Sequence, residues 1–504
     1  MFAFIQRNKF LFLFLIVILG AILRLYNVSN NPPGLYIDEI STAYNANEIL
    51  TKGVDQFGVK YPLWFRAFGE YKMPVLVYLT SGSIALFGRT EYAVRFPSAA
   101  AGIFTLIVFY FLVEELSSFA KKHIPFSPPI FSLVSTLFLA ISPWHIQFSR
   151  GGFENNVALF FYILSLLLGV YFYKHKKSLY LFLSFLFLAL TMYTYNAFRF
   201  IAPVTFIAFL GVFYFKSKEN IKRLLPSALF FVILILPVVL FSLTGQGITR
   251  FSETSALSVN KNIFQNLVAL ITNYISYFSF KFLFVVGDGI GRHEMPNFGV
   301  LQFWNLPFLI LGLYFTVKYI KNALFAIIIF LLFITPIPAA LTVPSPHALR
   351  SLLMVVPFTL MISYGFLWTL EKLLKGRGKL LIPVILLVIV YEFFFYLHFY
   401  YYHYPIVNSP DWGAGYKEMV QKTMKYKPEF KHVIVDSKLQ FAPLYFGFYT
   451  NDKFQPLMVD ENWVKLKEWA NEDTLLIVYH CTNLIDTVNY PGKNDDVFAE
   501  FCKL

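Results

Sequence analysis

Residues 27–98 read NVSNNPPGLYIDEISTAYNANEILTKGVDQFGVKYPLWFRAFGEYKMPVLVYLTSGSIALFGRTEYAVRFPS. The stretch follows a first apolar segment and is the longest early interruption in a chain that otherwise reads as membrane helices. It carries two adjacent acids (Asp38, Glu39), an acid and a base before a proline (Glu70, Lys72, Pro74) and two arginines (Arg89, Arg95). Charge near a bilayer is costly unless it lies in water or in a protein-lined cavity. Two readings follow: a wet loop, or an active-site loop at the membrane surface. Asp38 and Glu39 could equally serve as the N-terminal cap of a helix over 40–51. The rest of the chain has to decide.

The composition sets the class. Of 504 residues, 57% are hydrophobic, 20% aromatic and only 14% charged, and the mean hydropathy is +0.59. Soluble domains carry about 25% charged residues, so the chain reads as a polytopic α-helical membrane protein. The net charge of +13 does not call for nucleic acid. Lys and Arg fall in short clusters between apolar spans, where they set orientation. Sixty Phe and 32 Tyr suit lipid contact and interfacial belts. The segment 10–25 follows Arg7 and Lys9 without a small-residue cleavage site, and is expected to stay as a span.

A span needs about 20 apolar residues. Arg7 and Lys9 place the N-terminus in the cytoplasm, and the first loop, 27–91, outside. The short segment 75–87 and the segment 262–286 are both expected to lie in the interface. If either crossed, the later basic clusters would invert. Residues 40–51 read as a further surface helix. Spans are then expected over 92–116, 129–141, 156–173, 179–193, 200–215, 225–243, 300–317, 324–341, 349–370 and 380–399. With the first, that makes about eleven helices, with Lys121-Lys122, Lys174/176/177, Lys216 to Arg223, Lys318/321 and Lys372 to Lys379 inside.

The chain divides near residue 404. Residues 1–403 form the transmembrane part, and 404–504 a small outer α/β domain. There, 409–430 reads as a loop and then a polar helix, and HVIVDS (432–437) and DTLLIVYHC (473–481) read as short buried strands. Cys481 and Cys502 both lie in this domain; a disulfide and two free thiols are both open.

The non-basic polar groups gather in the outer loops: Asp38, Glu39, Glu70, His145, Glu154, Asp288, His293, Glu294 and His347. Against the positive-inside trend, Arg89, Arg95, Arg150, Arg199, Arg292 and Arg350 lie there too. The planar guanidinium fork suits phosphate, so the set points to an anionic substrate and an acid–base step. Bland readings stand beside each. Glu70 and Lys72 could pair with each other, Arg95 could snorkel, and Arg150 and Glu154 could be a local helix-end pair. Arg350 could simply top its span, and the 288–294 loop could be a wet turn. The histidines lack metal-ligand spacing, so no histidine metal site is expected.

At this point the sequence resembles the family 39 type glycosyltransferases of the GT-C group, which includes protein O-mannosyltransferases and lipid A aminoarabinose transferases. The motifs are LYIDEI, then G-V-D-x-x-G, then EYKMP before a short apolar helix, then LFGRTEYAVRFPSAAAG. SPWHIQFSRGGFENN, YTYNAFRFIAP, LPFLILGL and HALRSLLMVVP follow in the layout of the group. The resemblance covers residues 10–400 and is strongest over 34–102. It implies a polyprenyl-phosphate sugar donor and transfer on the extracytoplasmic side of the cell membrane. The family's loop acid falls on Asp38, with Glu39 beside it. Its Glu-Lys-Pro motif falls on Glu70, Lys72 and Pro74, with Tyr71 and Met73 inserted, which leaves Lys72 the better phosphate partner. Its second loop acid falls on Glu154 after Arg150.

Transfer of a sugar needs a base for the acceptor hydroxyl, cations for the leaving lipid phosphate and alignment of the two. Asp38 is expected as the base with Glu39 in support. Lys72, Arg95 and Arg350 are the candidates for the phosphate, and Glu70, Arg150, Glu154 and His347 complete the expected substrate site. A single displacement would invert the anomeric centre. A divalent metal on Asp38 and Glu154 would suit carboxylate chemistry, though no spacing compels it. The acceptor, whether protein, lipid or glycan, is left open. The rivals are a transporter or flippase of a lipid-linked anion, which would place charges at mid-membrane and show repeated halves, and a non-catalytic scaffold, indifferent to loss of Asp38.

Overall fold

The computed structural model describes residues 2–257, 262–459, 473–481, 483–493 and 496–503. The chain folds as two compact units that are not consecutive in sequence. The first comprises Met1–Tyr26, Leu63–Leu76 and Ser98–Leu397; the second comprises Asn27–Pro62, Val77–Pro97 and His398–Leu504. The later boundary lies close to the division expected at 404. Much of the first outer loop, however, groups with the C-terminal segment.

Among the described residues, eight helices are long and apolar enough to cross a membrane, or nine if Pro128–Ala140 and Pro143–Arg150, bent by 57°, form one broken span. Pro74–Phe87 is a helix of only 14 residues, which fits its expected shortness. Ile263–Val285, expected to lie in the interface, is by length and hydropathy able to cross. One expectation fails: SPWHIQFSR, read as loop, is the helix Pro143–Arg150. Its proline stands at the first helical position, where no N–H is needed. The Ser142 hydroxyl accepts from the His145 N–H at 3.5 Å, and the glycines after Arg150 end the helix.

In the first unit, two arginines lock the first span. Arg24, in the last turn of Lys9–Leu25, donates to the carbonyls of Ala140 (3.1 Å) and Leu139 (3.5 Å), and lies 2.7 Å from His145 Nδ1. These carbonyls are the unsatisfied C-terminal end of Pro128–Ala140. Arg150 does the reverse, donating to Leu23 and Tyr26 O at 2.8 Å each, the C-terminal end of Lys9–Leu25. Each helix end, with its partial negative charge, is therefore capped by the other segment's arginine. Gly102 lets this junction close, since a Cβ there would meet Ser149 Cβ at 2.8 Å. Hydroxyl pairs join other spans: Tyr162 to Thr205 at 2.8 Å and Ser165 to Ser184 at 3.3 Å. Such bonds hold helices together where lipid offers no polar partner.

The second unit holds a five-stranded sheet in the order β4 (Leu457–Val459), β3 (His432–Asp436), β5 (Thr474–Val478), β7 (Val497–Lys503), β6 (Leu484–Asn489). β3 runs parallel to β4 and β5, and the β5–β7 and β6–β7 pairs are antiparallel. The two strands anticipated in the sequence are β3 and β5, and every residue of β5 is buried, as a continuous apolar run in a central strand requires. The anticipated polar helix is Tyr416–Tyr426. Cys481 and Cys502 form a disulfide, which settles the two open thiol states. The helix Ile37–Lys52 starts with a capping box between Tyr36 and Glu39 and carries Asp38 and Glu39 in its first turn, where the helix dipole favours acids.

Candidate active site

In the first unit, Glu70 and Lys72 lie on β2 (Glu70–Lys72), which pairs antiparallel with β1 (Phe65–Ala67). Residues two apart on a strand face the same way, so the Tyr71 that separates them puts both on one face. Both are buried, at 7% exposure. Tyr71 turns the other way, its ring 5.5 Å from that of Phe241, which in turn stacks on Trp64 at 4.3 Å. The Lys72 ammonium lies 5.3 Å from the Phe68 ring centroid.

Beside this motif is Arg199. Its Nη2 donates to Met73 Sδ at 3.4 Å and its Nη1 to Gly247 O at 2.9 Å. Its buried Nε–H has no partner among the described residues. Arg199 and Arg350 line one cavity of 340 Å³, with Tyr195, Asn196 and Thr342 as polar neighbours and Phe251, Ile248 and Leu341 as greasy ones. Arg350 Nη1 donates to Thr342 Oγ1 at 2.8 Å and Val343 O at 3.1 Å. Two cations on an otherwise mostly apolar cavity suit an amphiphile with an anionic head.

A second cluster lies in the same unit. Asp288 Oδ2 is 2.6 Å from His293 Nδ1 and 4.0 Å from His347 Nδ1. The histidines lack metal-ligand spacing in the sequence, and that spacing gave no sign of this meeting: residues 288–293 and residue 347 converge from two loops. Beside it, burial and the Asp288 charge push the Glu294 carboxyl up to about 9, against the Gly289 N–H that bonds it.

In the second unit, the acidic pair divides. Glu39 is fully buried, and both its oxygens take Arg95, at 2.9 and 3.0 Å. Arg95 also donates to Val28 O (2.8 Å), Pro32 O (2.7 Å) and Gly34 O, and stacks 5.4 Å from the Trp412 ring. Arginine has five N–H donors, and all five are engaged. Arg95 is therefore not the phosphate ligand expected of it, and Glu39 is a structural anion. Asp38 is the more accessible of the two acids.

Arg150, expected in the substrate site, has a structural contact of its own. It is fully buried and donates to the end of the first span. Glu154 is half-buried at the start of Glu154–His175. Asp38 belongs to the second unit, whereas Glu70, Lys72, Glu154, His347 and Arg350 belong to the first. Arg199 was counted among the outer arginines but not singled out for the phosphate; its position at the start of an apolar span was the available signal.

Residues 71–241 match the family described as dolichyl-phosphate-mannose-protein mannosyltransferase. The structure resembles ArnT from Cupriavidus metallidurans bound to undecaprenyl phosphate, with a TM-score of 0.54, 13% identity and 92% of each chain covered. It also resembles the oligosaccharyltransferase of Archaeoglobus fulgidus, with a TM-score of 0.51 and 12% identity. The latter match takes in 90% of this chain but 65% of that one, so the present chain spans about two thirds of the archaeal protein. A further structure of that oligosaccharyltransferase carries a tethered acceptor peptide (TM-score 0.52, 13% identity, 90% and 64% covered). No curated protein sequence matches the chain. The family match over residues 71–241 and the likeness in fold to these two proteins are what the chain shares with the protein-mannosyltransferase and ArnT kind of membrane protein.

Proposed function

We propose that the chain transfers a sugar from a polyprenyl-phosphate donor to an acceptor at the outer face of the cytoplasmic membrane. The observation that carries this reading is the 340 Å³ cavity on which Arg199 and Arg350 converge, beside the strand of Glu70 and Lys72. Arg199 offers a donor with no partner among the described residues. A lipid phosphate would take these N–H groups while its tail follows the apolar wall. That the resembling ArnT is bound to undecaprenyl phosphate supports the same donor class. The positive-inside clusters support about eleven crossings with the C-terminal domain outside.

The mechanism follows from the charges. As C1 of the sugar is attacked, negative charge grows on the leaving phosphate, and Arg199, Arg350 and Lys72 stabilise it more than they stabilise the bound donor. Asp38 takes the acceptor proton. Its partial exposure leaves it reachable, whereas Glu39 is held by Arg95. One displacement gives inversion at C1.

The test is a transfer assay with the full chain in nanodiscs, given a panel of radiolabelled polyprenyl-phosphate sugars and a membrane acceptor extract. Asp38→Asn should lower kcat by about 10²–10⁴, the usual weight of general-base catalysis. Transfer that is indifferent to Asp38→Asn would remove the assigned base. Absence of transfer from every donor, in folded protein that binds the lipid, would favour a transporter of lipid-linked anions.

A further inference from the structure

We propose that Asp288, His293 and His347 form a site for one divalent ion of the zinc class. The three side chains offer one carboxylate oxygen and two imidazole nitrogens, all within 4.8 Å of one another. Their side chains are 0%, 3% and 10% exposed. A buried hydrogen-bonded Asp–His pair is common by itself. The third member, arriving from a separate loop, is what a pair does not need and a metal does. The two imidazole rings lie 4.7 Å apart by centroid.

The geometry is close to that of a loaded site. With metal–ligand bonds of about 2.0–2.1 Å, tetrahedral ligand atoms stand roughly 3.3 Å apart. Here the carboxylate is 2.6 Å from one nitrogen and 4.0 Å from the other. These two gaps must each change by about 0.7 Å to admit an ion, a shift that side-chain rotation can supply. The ion would displace the proton that the Asp288–His293 bond now shares. It would also replace the long bond, 3.4 Å, from the Arg350 N–H to His347 Nδ1.

The outer partners of a metal site are already in place. Asp288 Oδ2 accepts from the Ala348 N–H at 2.7 Å and Oδ1 from the Ile290 N–H at 3.0 Å, so the carboxylate is oriented by both loops. His293 packs against the rings of Phe148 and Phe153, at 5.3 and 6.4 Å. Such partners fix ligand direction before the ion arrives. Two imidazoles and a carboxylate suit zinc and its neighbours better than calcium or magnesium, which prefer all-oxygen sets. Three protein ligands leave a fourth position open to water or substrate. A bound ion would tie the 287–294 loop to the 345–350 loop and so set the approach of Arg350, three residues beyond His347.

The test measures metal without any sugar donor, so its failure is separate from failure of the glycosyltransferase reading. Full-length protein in nanodiscs, stripped with chelator, is titrated with Co²⁺ and its visible spectrum followed, then competed with Zn²⁺. One Co²⁺ per chain with four-coordinate bands is expected. His293→Ala and His347→Ala should each weaken binding by more than about 100-fold, beyond what loss of an outer partner costs. Zinc X-ray absorption on the wild-type chain needs no variant, and should count two imidazoles and no sulfur. Failure to bind Co²⁺ or Zn²⁺, unchanged affinity in both folded histidine variants, or a sulfur shell from Cys481 and Cys502 would each overturn the proposal.

Discussion

Arg95 and Arg199 look alike in the sequence. Each stands in the opening turns of an apolar span, Glu91–Phe119 and Phe198–Gly211, and each follows a polar outer loop. The fold makes them opposites. Arg95 has no exposure, and a carboxylate and three carbonyls take all its N–H groups. Arg199 lines a cavity, and holds a weak sulfur acceptor and one carbonyl. An arginine at a span's end is therefore no signal by itself. What decides its role is whether the chain brings enough acceptors to saturate the fork.

The largest effect expected from this contrast is on folding. Arg95→Leu leaves Glu39 charged, buried and unpaired, which costs about 3–5 kcal/mol. The variant should give little monodisperse protein and a much lower Tm. The double variant with Glu39→Leu should recover much of that loss, because no lone charge remains. A folded Arg95→Leu with ordinary Tm and failed donor binding would break the comparison, since Arg95 would then act on substrate.

At the other arginines the sign reverses. Arg199→Ala should leave thermal unfolding nearly unchanged, because Arg199 holds one carbonyl and one sulfur; Arg350→Ala is its companion on the same cavity. Each should lower kcat/KM for the polyprenyl-phosphate donor by about 10²–10³, the loss typical of one donor to a developing anion. Arg199→Lys should recover only part, since an ammonium cannot copy the planar fork. The measurement is donor kinetics beside a melt of the same preparation. Loss of stability with unaltered kinetics would put Arg199 in the same class as Arg95.

The parts of this molecule that could be read in advance are those set by local pattern. Apolar runs gave the spans, and the continuous runs at 432–437 and 473–481 gave β3 and β5. Local pattern also misled. Ser142, Pro143 and Gly151 read as loop formers, yet they bound a helix of eight residues, because each sits where a helix end wants it. What stayed out of reach was long-range pairing. Glu39 and Arg95 are 56 residues apart, and the bond that joins the Asp288 loop to Ala348 spans 60. No periodicity links such positions, so the roles of Arg95, Arg150 and the histidines depended on tertiary packing alone. The EYKMP motif shows the intermediate case. As a string, its inserted tyrosine looked like a departure; as a strand, it returns Glu70 and Lys72 to one face.

The smallest expected effect sharpens the contrast from the exposed side. In the C-terminal segment, Asp486 receives Lys422 Nζ at 3.0 Å and the Tyr426 hydroxyl at 2.9 Å. Partial burial works to raise this carboxyl, but the Lys422 ammonium and the Tyr426 and Thr487 donors outweigh it and hold it below the usual carboxylate range. A depressed carboxylate stabilises the fold at pH values above its unfolded pKa, and that stability is lost as pH falls through the folded one. Because water screens this pair, Asp486→Asn should cost at most about 1 kcal/mol at neutral pH, and progressively less as the pH drops below the ordinary carboxylate range. Tm of the variant and the wild type, followed from neutral to acid pH, checks both size and sign. A gap that widened on acidification would contradict the assignment. A neutral-pH loss as large as that of Arg95→Leu would mean that exposure does not separate the two kinds of ion pair in this fold.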